Sequence, residues 1–122
     1  MLSWRFGMPT VFVIARDWNL RANVRAELRE RGIDALGMES ADDAGRVLAQ
    51  GQTPAVVVVE AIPEIAGNPA IGRLLERAPT ILIASRTETV PLPPVDTVLY
   101  RPVRIADIVT RVEELLRRGH LA

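Results

Sequence analysis

The chain contains no cysteine and no lysine, and a single histidine, His120, near its C-terminus. Without cysteine, neither a disulfide framework nor a thiolate metal site can form. One imidazole argues against a histidine-based zinc centre and against a Ser-His-Asp triad. The absence of lysine excludes Schiff-base chemistry. All 15 basic residues are arginines, and they balance 15 acidic residues. No basic stripe marks a nucleic-acid surface, and no acidic tail is present. No apolar run approaches the ~20 residues that a membrane-spanning helix needs. The first eight residues, MLSWRFGM, lack the apolar stretch of a signal peptide. A Gly-rich phosphate loop, a nucleophile–base pair and a metal-ligand cluster are all missing from the sequence. These absences lead us to expect a cytoplasmic bacterial domain with no cofactor, no metal, and neither nucleic acid nor membrane as partner.

What is present is a regular alternation. A length of 122 residues suits one domain able to bury a core without staples. The run TVFVIA (10–15) is short, apolar and β-branched, as a strand buried on both faces should be. After it, Leu20, Val24 and Leu28 recur at helical spacing, with Asp17 or Asn19 as cap and Gly32 as stop. IDALGM (33–38) reads as a weaker strand. Ser40 caps a second helix, with Asp42 and Asp43 in its first turn and Gly51 just past its end. AVVVV (55–59) is the most apolar strand and belongs at the sheet centre. Asn68 and Pro69 open a third helix. TILIAS (80–85) and DTVLY (96–100) are further strands. A final helix shows one face of Ile105, Ile108, Val109, Val112, Leu115 and Leu116.

Strands alternating with helices predict an α/β fold with a parallel sheet covered on both faces. We expect a three-layer flavodoxin-like sandwich, strand order 2-1-3-4-5, over residues 9–119, with residues 1–8 as an N-terminal extension. Between the last two strands lies RTETVPLPPVD (86–96), whose prolines cannot sit inside a helix. The helix usual in such a crossover is therefore expected to be missing or reduced to a turn, with Val90, Leu92 and Val95 covering part of the sheet. PLPP could also serve as a polyproline ligand.

In open parallel sheets, ligands sit beyond the C-terminal strand ends. Those ends carry Ala15, Arg16 and Asp17, then Glu60, then Ala84 and Ser85, then Arg101 and Pro102. Glu60 reads in two ways: as a charge-bearing group paired with Arg101, or as a strand-end carboxylate satisfied by nearby backbone N–H groups. Arg16 and Arg101 together suggest a small-anion or nucleotide site. Asp17 is most simply an N-cap, and Ser85 has no base to make it a nucleophile. Trp4, Phe6 and Trp18 are expected to pack on the edge of the domain rather than to meet a partner.

These landmarks resemble the receiver domain of bacterial two-component response regulators. TPAVVVVE (53–60) is similar to the receiver's third strand, where a proline precedes the phosphate-accepting aspartate by six residues. Glu60 falls on that position, and the resemblance turns its charge-bearing reading into that of a mimic of phospho-aspartate paired with Arg101. YRPVRIADIVTRVEELL (100–116) is similar to the junction before the last helix, with Arg101 at the lysine position and Pro102 keeping the proline that follows a cis bond in the family. Ala15 and Arg16 fall where an acidic pair binds magnesium, Ala84 and Ser85 where the Thr or Ser switch lies, and Val98 at the aromatic switch.

The resemblance implies a frame that is kept and a chemistry that is altered. One carboxylate would face two guanidiniums, a net of +1, or 0 if Asp17 turns inward. Magnesium-assisted phosphoryl transfer instead needs carboxylates around the metal. Glu60 is also one methylene longer than aspartate, which displaces its oxygen by ~1 Å. The implied function is a non-enzymatic signalling or scaffold module acting through a protein partner, without aspartyl phosphorylation. A second copy of the chain is also a candidate partner. The alternative is an anion-binding or nucleotide-binding domain using Arg16 and Arg101.

Overall fold

The computed structural model describes residues 10–65, 67–87, 95 and 97–121. In chain order its elements are β1 (Thr10–Ile14), α1 (Trp18–Glu30), β2 (Asp34–Met38), α2 (Ala41–Ala49), β3 (Val56–Glu60), α3 (Pro69–Arg77), β4 (Thr80–Ala84), β5 (Thr97–Tyr100) and α4 (Ile105–Leu121). One turn of 3-10 helix, Pro63–Ile65, lies between β3 and α3. All strand pairings are parallel, and the order is β2-β1-β3-β4-β5. This is the flavodoxin-like receiver fold. Its central strand is β3, as the valine run predicts: Val56 to Val59 are all buried.

Side chains alternate across the sheet, which splits the core in two. Val11, Val13, Val56, Val58, Ile81 and Ile83 meet the buried faces of α1 and α4. Phe12, Ile14, Val57, Val59 and Leu82 meet α2 and α3. Each fully buried Val, Leu, Ile or Phe contributes ~1.5–3 kcal/mol relative to exposure. The final helix buries Ile108, Val109, Val112, Leu115 and Leu116, while Ile105 packs at the margin. Arg31, just past α1, ties that helix to α4 by donating to Glu113 at 2.6 Å. That hydrogen bond raises the Arg31 guanidinium above its ordinary value.

Helix boundaries follow the local chemistry. Asp17 caps α1, accepting from the N–H groups of Asn19 and Leu20. Ser40 caps α2 through Asp43 N–H. Asn68 caps α3, with Pro69 just inside it. Gly32 ends the α1 turn with φ +76°, a conformation that other residues rarely adopt.

Among the described residues there are four α-helices and none between β4 and β5. Most of the proline-rich crossover, 88–94 and 96, lies outside the described residues, as do Val90, Leu92, the N-terminal extension, Trp4 and Phe6. Val95 packs against the core on the α2/α3 side. The expectation for Trp18 does not hold: it is 66% exposed. It is the first residue of α1, away from the stripe of Leu20, Val24 and Leu28 that turns that helix inward. No helix among the described residues is long and apolar enough to cross a membrane.

Candidate functional site

Parallel strands deliver their C-terminal ends to one edge, and the backbone there does most of the assembly. Glu60 is the last residue of β3. By alternation it shares the face of Val56 and Val58, towards α1 and α4. The loop from β1 into α1 passes beside it. Glu60 Oε1 accepts from the backbone N–H of Arg16 at 2.7 Å and of Asp17 at 3.1 Å. Residues 16 and 17 lie immediately before α1, so the carboxylate also sits near the positive end of that helix.

The other oxygen faces β5. Arg101 follows that strand, its N–H donating to Ala84 O at 2.8 Å. Its Nη2 donates to Glu60 Oε2 at 2.8 Å. Its Nη1 lies 3.4 Å from Asp17 Oδ2. Asp17 therefore has two duties, since its Oδ1 caps α1 at 3.0 and 3.2 Å while Oδ2 faces the guanidinium. The Glu60 side chain is only 13% exposed, against 36% for Arg101. The Arg101-Pro102 peptide bond is cis.

The arrangement has the backbone N–H donors of the strand-end reading and also the contact with Arg101. Asp17 does turn inward, so two carboxylates, Glu60 and Asp17, stand against the Arg101 guanidinium. Arg16 is exposed, and what reaches Glu60 is its backbone N–H. Ala15 is buried, and its carbonyl accepts from Arg21 Nη1 at 2.7 Å. Ala84 is buried at the end of β4. Ser85 turns to its own neighbourhood, sharing a 2.9 Å hydrogen bond with the Thr87 hydroxyl. The structure thus gathers Glu60, Asp17, Arg101 and the Arg16 backbone, and leaves Ser85 to a local turn.

One contact at this edge escapes the sequence reading. Arg86 lies over the Tyr100 ring, 4.4 Å from its centroid. Tyr100 ends β5 and Arg86 lies two residues past the end of the neighbouring β4, and that shared edge is the signal that could have paired them.

The fold raises the question of a divalent cation, and the donor set does not suit one. A hard cation needs several unengaged oxygens. Here both Glu60 oxygens accept from N–H groups, both Asp17 oxygens are engaged, and positions 15 and 16 supply a methyl and a guanidinium. Among the described residues no group of three or more His, Asp or Glu is placed to hold a metal ion.

No protein-family model matches the chain, and no curated protein matches it. Solved structures do resemble it. The chain is similar to the receiver domain of a Francisella response regulator, with 18% identity and TM-score 0.72 over 91% of this chain and 98% of that one. It is similar to a CheY-like response regulator receiver domain protein from Methanospirillum hungatei, with 14% identity and TM-score 0.76 over 94% and 99%. It is also similar to the signal receiver domain of a putative Luxo repressor protein from Vibrio parahaemolyticus, with 15% identity and TM-score 0.74 over 93% of each chain. At these identities the likeness shows the fold.

Proposed function

We propose that this receiver fold is a signalling or scaffold module that works through contact with a protein partner and without aspartyl phosphorylation. Glu60 stands at the position of the phosphate acceptor, and Ala15, Arg16, Asp17, Ala84, Ser85, Arg101 and Pro102 form the altered pocket around it. The observation that carries this reading is the engagement of Glu60. An oxygen that attacks phosphorus needs an open line of approach and a neutralised target. Both oxygens of Glu60 are instead held, one by two backbone N–H groups and one by Arg101. The carboxylate fastens the loop before α1 to the loop after β5. In this reading that arrangement is permanent, where a phosphorylated receiver would adopt its own only when modified. The chain is then no enzyme, needs no cofactor, and acts in the bacterial cytoplasm.

The small-anion alternative draws less support. Arg101 is compensated by Glu60 and Asp17, so an incoming anion would have to displace a carboxylate already at 2.8 Å. The test is incubation with acetyl phosphate and magnesium, read by intact mass. The expected result is no phosphate-sized increase. An adduct that disappears in Glu60→Gln would overturn the reading.

A further inference from the structure

At the opposite end of β3 from Glu60, α2 and α3 enclose a groove of about 390 Å³. The two helices approach closely at Gly45, where a Cβ would lie 3.3 Å from the Ala70 Cβ. The groove opens one to two turns further along both. Its apolar lining comes from Leu48, Ala49, Pro54 and Leu74, and its rim from Arg73 and Arg77. These arginines are spaced i,i+4, so they share one face of α3. Among the described residues, no acidic side chain lines the groove. Arg21, Arg31, Arg46, Arg101 and Arg111 all meet carboxylates. Arg73 and Arg77 form no ion pair among the described residues.

We propose that this groove docks an acidic segment of a partner protein, with one leucine-type side chain seated on Leu48, Pro54 and Leu74 and flanking carboxylates on Arg73 and Arg77. The assignment rests on the partner-binding reading above and adds to it the partner's chemistry. Two guanidiniums with no ion pair among the described residues, beside an apolar floor, complement a ligand that is both anionic and apolar. Shape decides between a small molecule and a peptide. A small-molecule site buries ~70–90% of its ligand. This cleft is rimmed by exposed residues, Ala49, Thr53, Arg73 and Arg77, and suits one anchored side chain on a longer strand.

The experiment is selection of a phage-displayed random peptide library on the full chain, followed by titration of the enriched peptide in synthetic form. The expected consensus places Asp or Glu around Leu, Ile or Phe. Amide NMR shifts should concentrate at residues 45–54 and 70–77. Arg73→Glu with Arg77→Glu should weaken binding by about tenfold or more, with the circular dichroism and urea midpoint unchanged. Replacing the peptide's apolar anchor with Ala should weaken binding as well, and Glu60→Gln should leave it intact. An enriched consensus without acids, no enrichment at all, or binding indifferent to the arginine reversal overturns the proposal. Binding indifferent to the anchor also overturns it, marking a simple anion site. Binding lost in Glu60→Gln, with shifts at residues 15–17 and 101, moves the docking surface to the Glu60 edge. Phosphate uptake from acetyl phosphate would sink the reading of Glu60 without touching the groove.

Discussion

Glu60 and Arg101 meet at 2.8 Å although their strands are not neighbours. β4 lies between β3 and β5. At ~4.8 Å per strand, the two backbones stand roughly 10 Å apart. Two long side chains close that gap, and the extra methylene of glutamate shortens the remaining span. Arginine adds a planar fork, which here reaches Asp17 as well as Glu60. The pair therefore secures two loops across an intervening strand.

Its energetic weight should be intermediate. Exposed pairs contribute ~0–1 kcal/mol, and breaking a buried one costs ~3–5 kcal/mol. Glu60 is nearly buried and Arg101 is about one-third exposed. We expect a coupling of about 1–2 kcal/mol in a double-mutant cycle of Glu60→Gln and Arg101→Met, read by urea unfolding. Coupling indistinguishable from zero would show that the two side chains do not act together.

Asp17 combines a cap and an ion pair, and two substitutions separate them. Asp17→Asn keeps an oxygen for the Asn19 and Leu20 N–H groups but loses the charge facing Arg101. Asp17→Ala loses both. Loss of an N-cap costs ~1 kcal/mol, so Ala should destabilise by about that much more than Asn. Equal urea midpoints for the two variants would refute the capping role.

Much of this arrangement is written in local chemistry that a sequence displays. Ser40, Asn68-Pro69 and Asp17 announce helix starts because a short polar side chain before an apolar repeat has few other uses. Glu60 and Arg101 are legible because parallel strands bring their C-terminal ends to one edge. The backbone donors of Arg16 and Asp17 are harder to foresee, since every residue carries an N–H and only the loop path selects two of them. The intervening β4 follows from strand order, yet it gives no sign of whether two side chains reach across it. Arg73 and Arg77 read as an ordinary solvated helix face until the neighbouring helix turns that face into the rim of a groove.

Arg25 offers a different test. Its Nε is buried without a hydrogen-bond partner. Its chain lies against β2, where a Cβ on Gly37 would come within 2.6 Å of Arg25 Cδ. A buried polar group left unpaired costs ~1–3 kcal/mol, whereas the alkyl stem contributes packing. Arg25→Met keeps most of the stem and removes the unpaired donor. We expect this variant to match or exceed the parent in urea unfolding, by up to about 1 kcal/mol. A loss larger than that would mean that the guanidinium is stabilising where it lies.

Gly45 sets two effects against each other. In the middle of α2, glycine costs up to ~1 kcal/mol relative to alanine. A new Cβ, however, would stand 3.3 Å from the Ala70 Cβ, so α2 and α3 must part by a few tenths of an ångström. Both helices are nine residues long, and α3 is held to the sheet by Ile71 and Leu74. A short helix seated on two side chains can yield that far. Gly45→Ala should therefore leave stability within about 0.5 kcal/mol of the parent, the propensity gain offsetting the contact. Gly45→Val adds two further methyl groups that the same small shift cannot accommodate, and should cost ~1–3 kcal/mol by overpacking. Urea unfolding of both variants checks the pair. If Gly45→Ala stabilises by the full ~1 kcal/mol, the helices are not in firm contact there. If it destabilises as much as Gly45→Val, α3 is fixed in place and glycine is required for the close approach of the two helices.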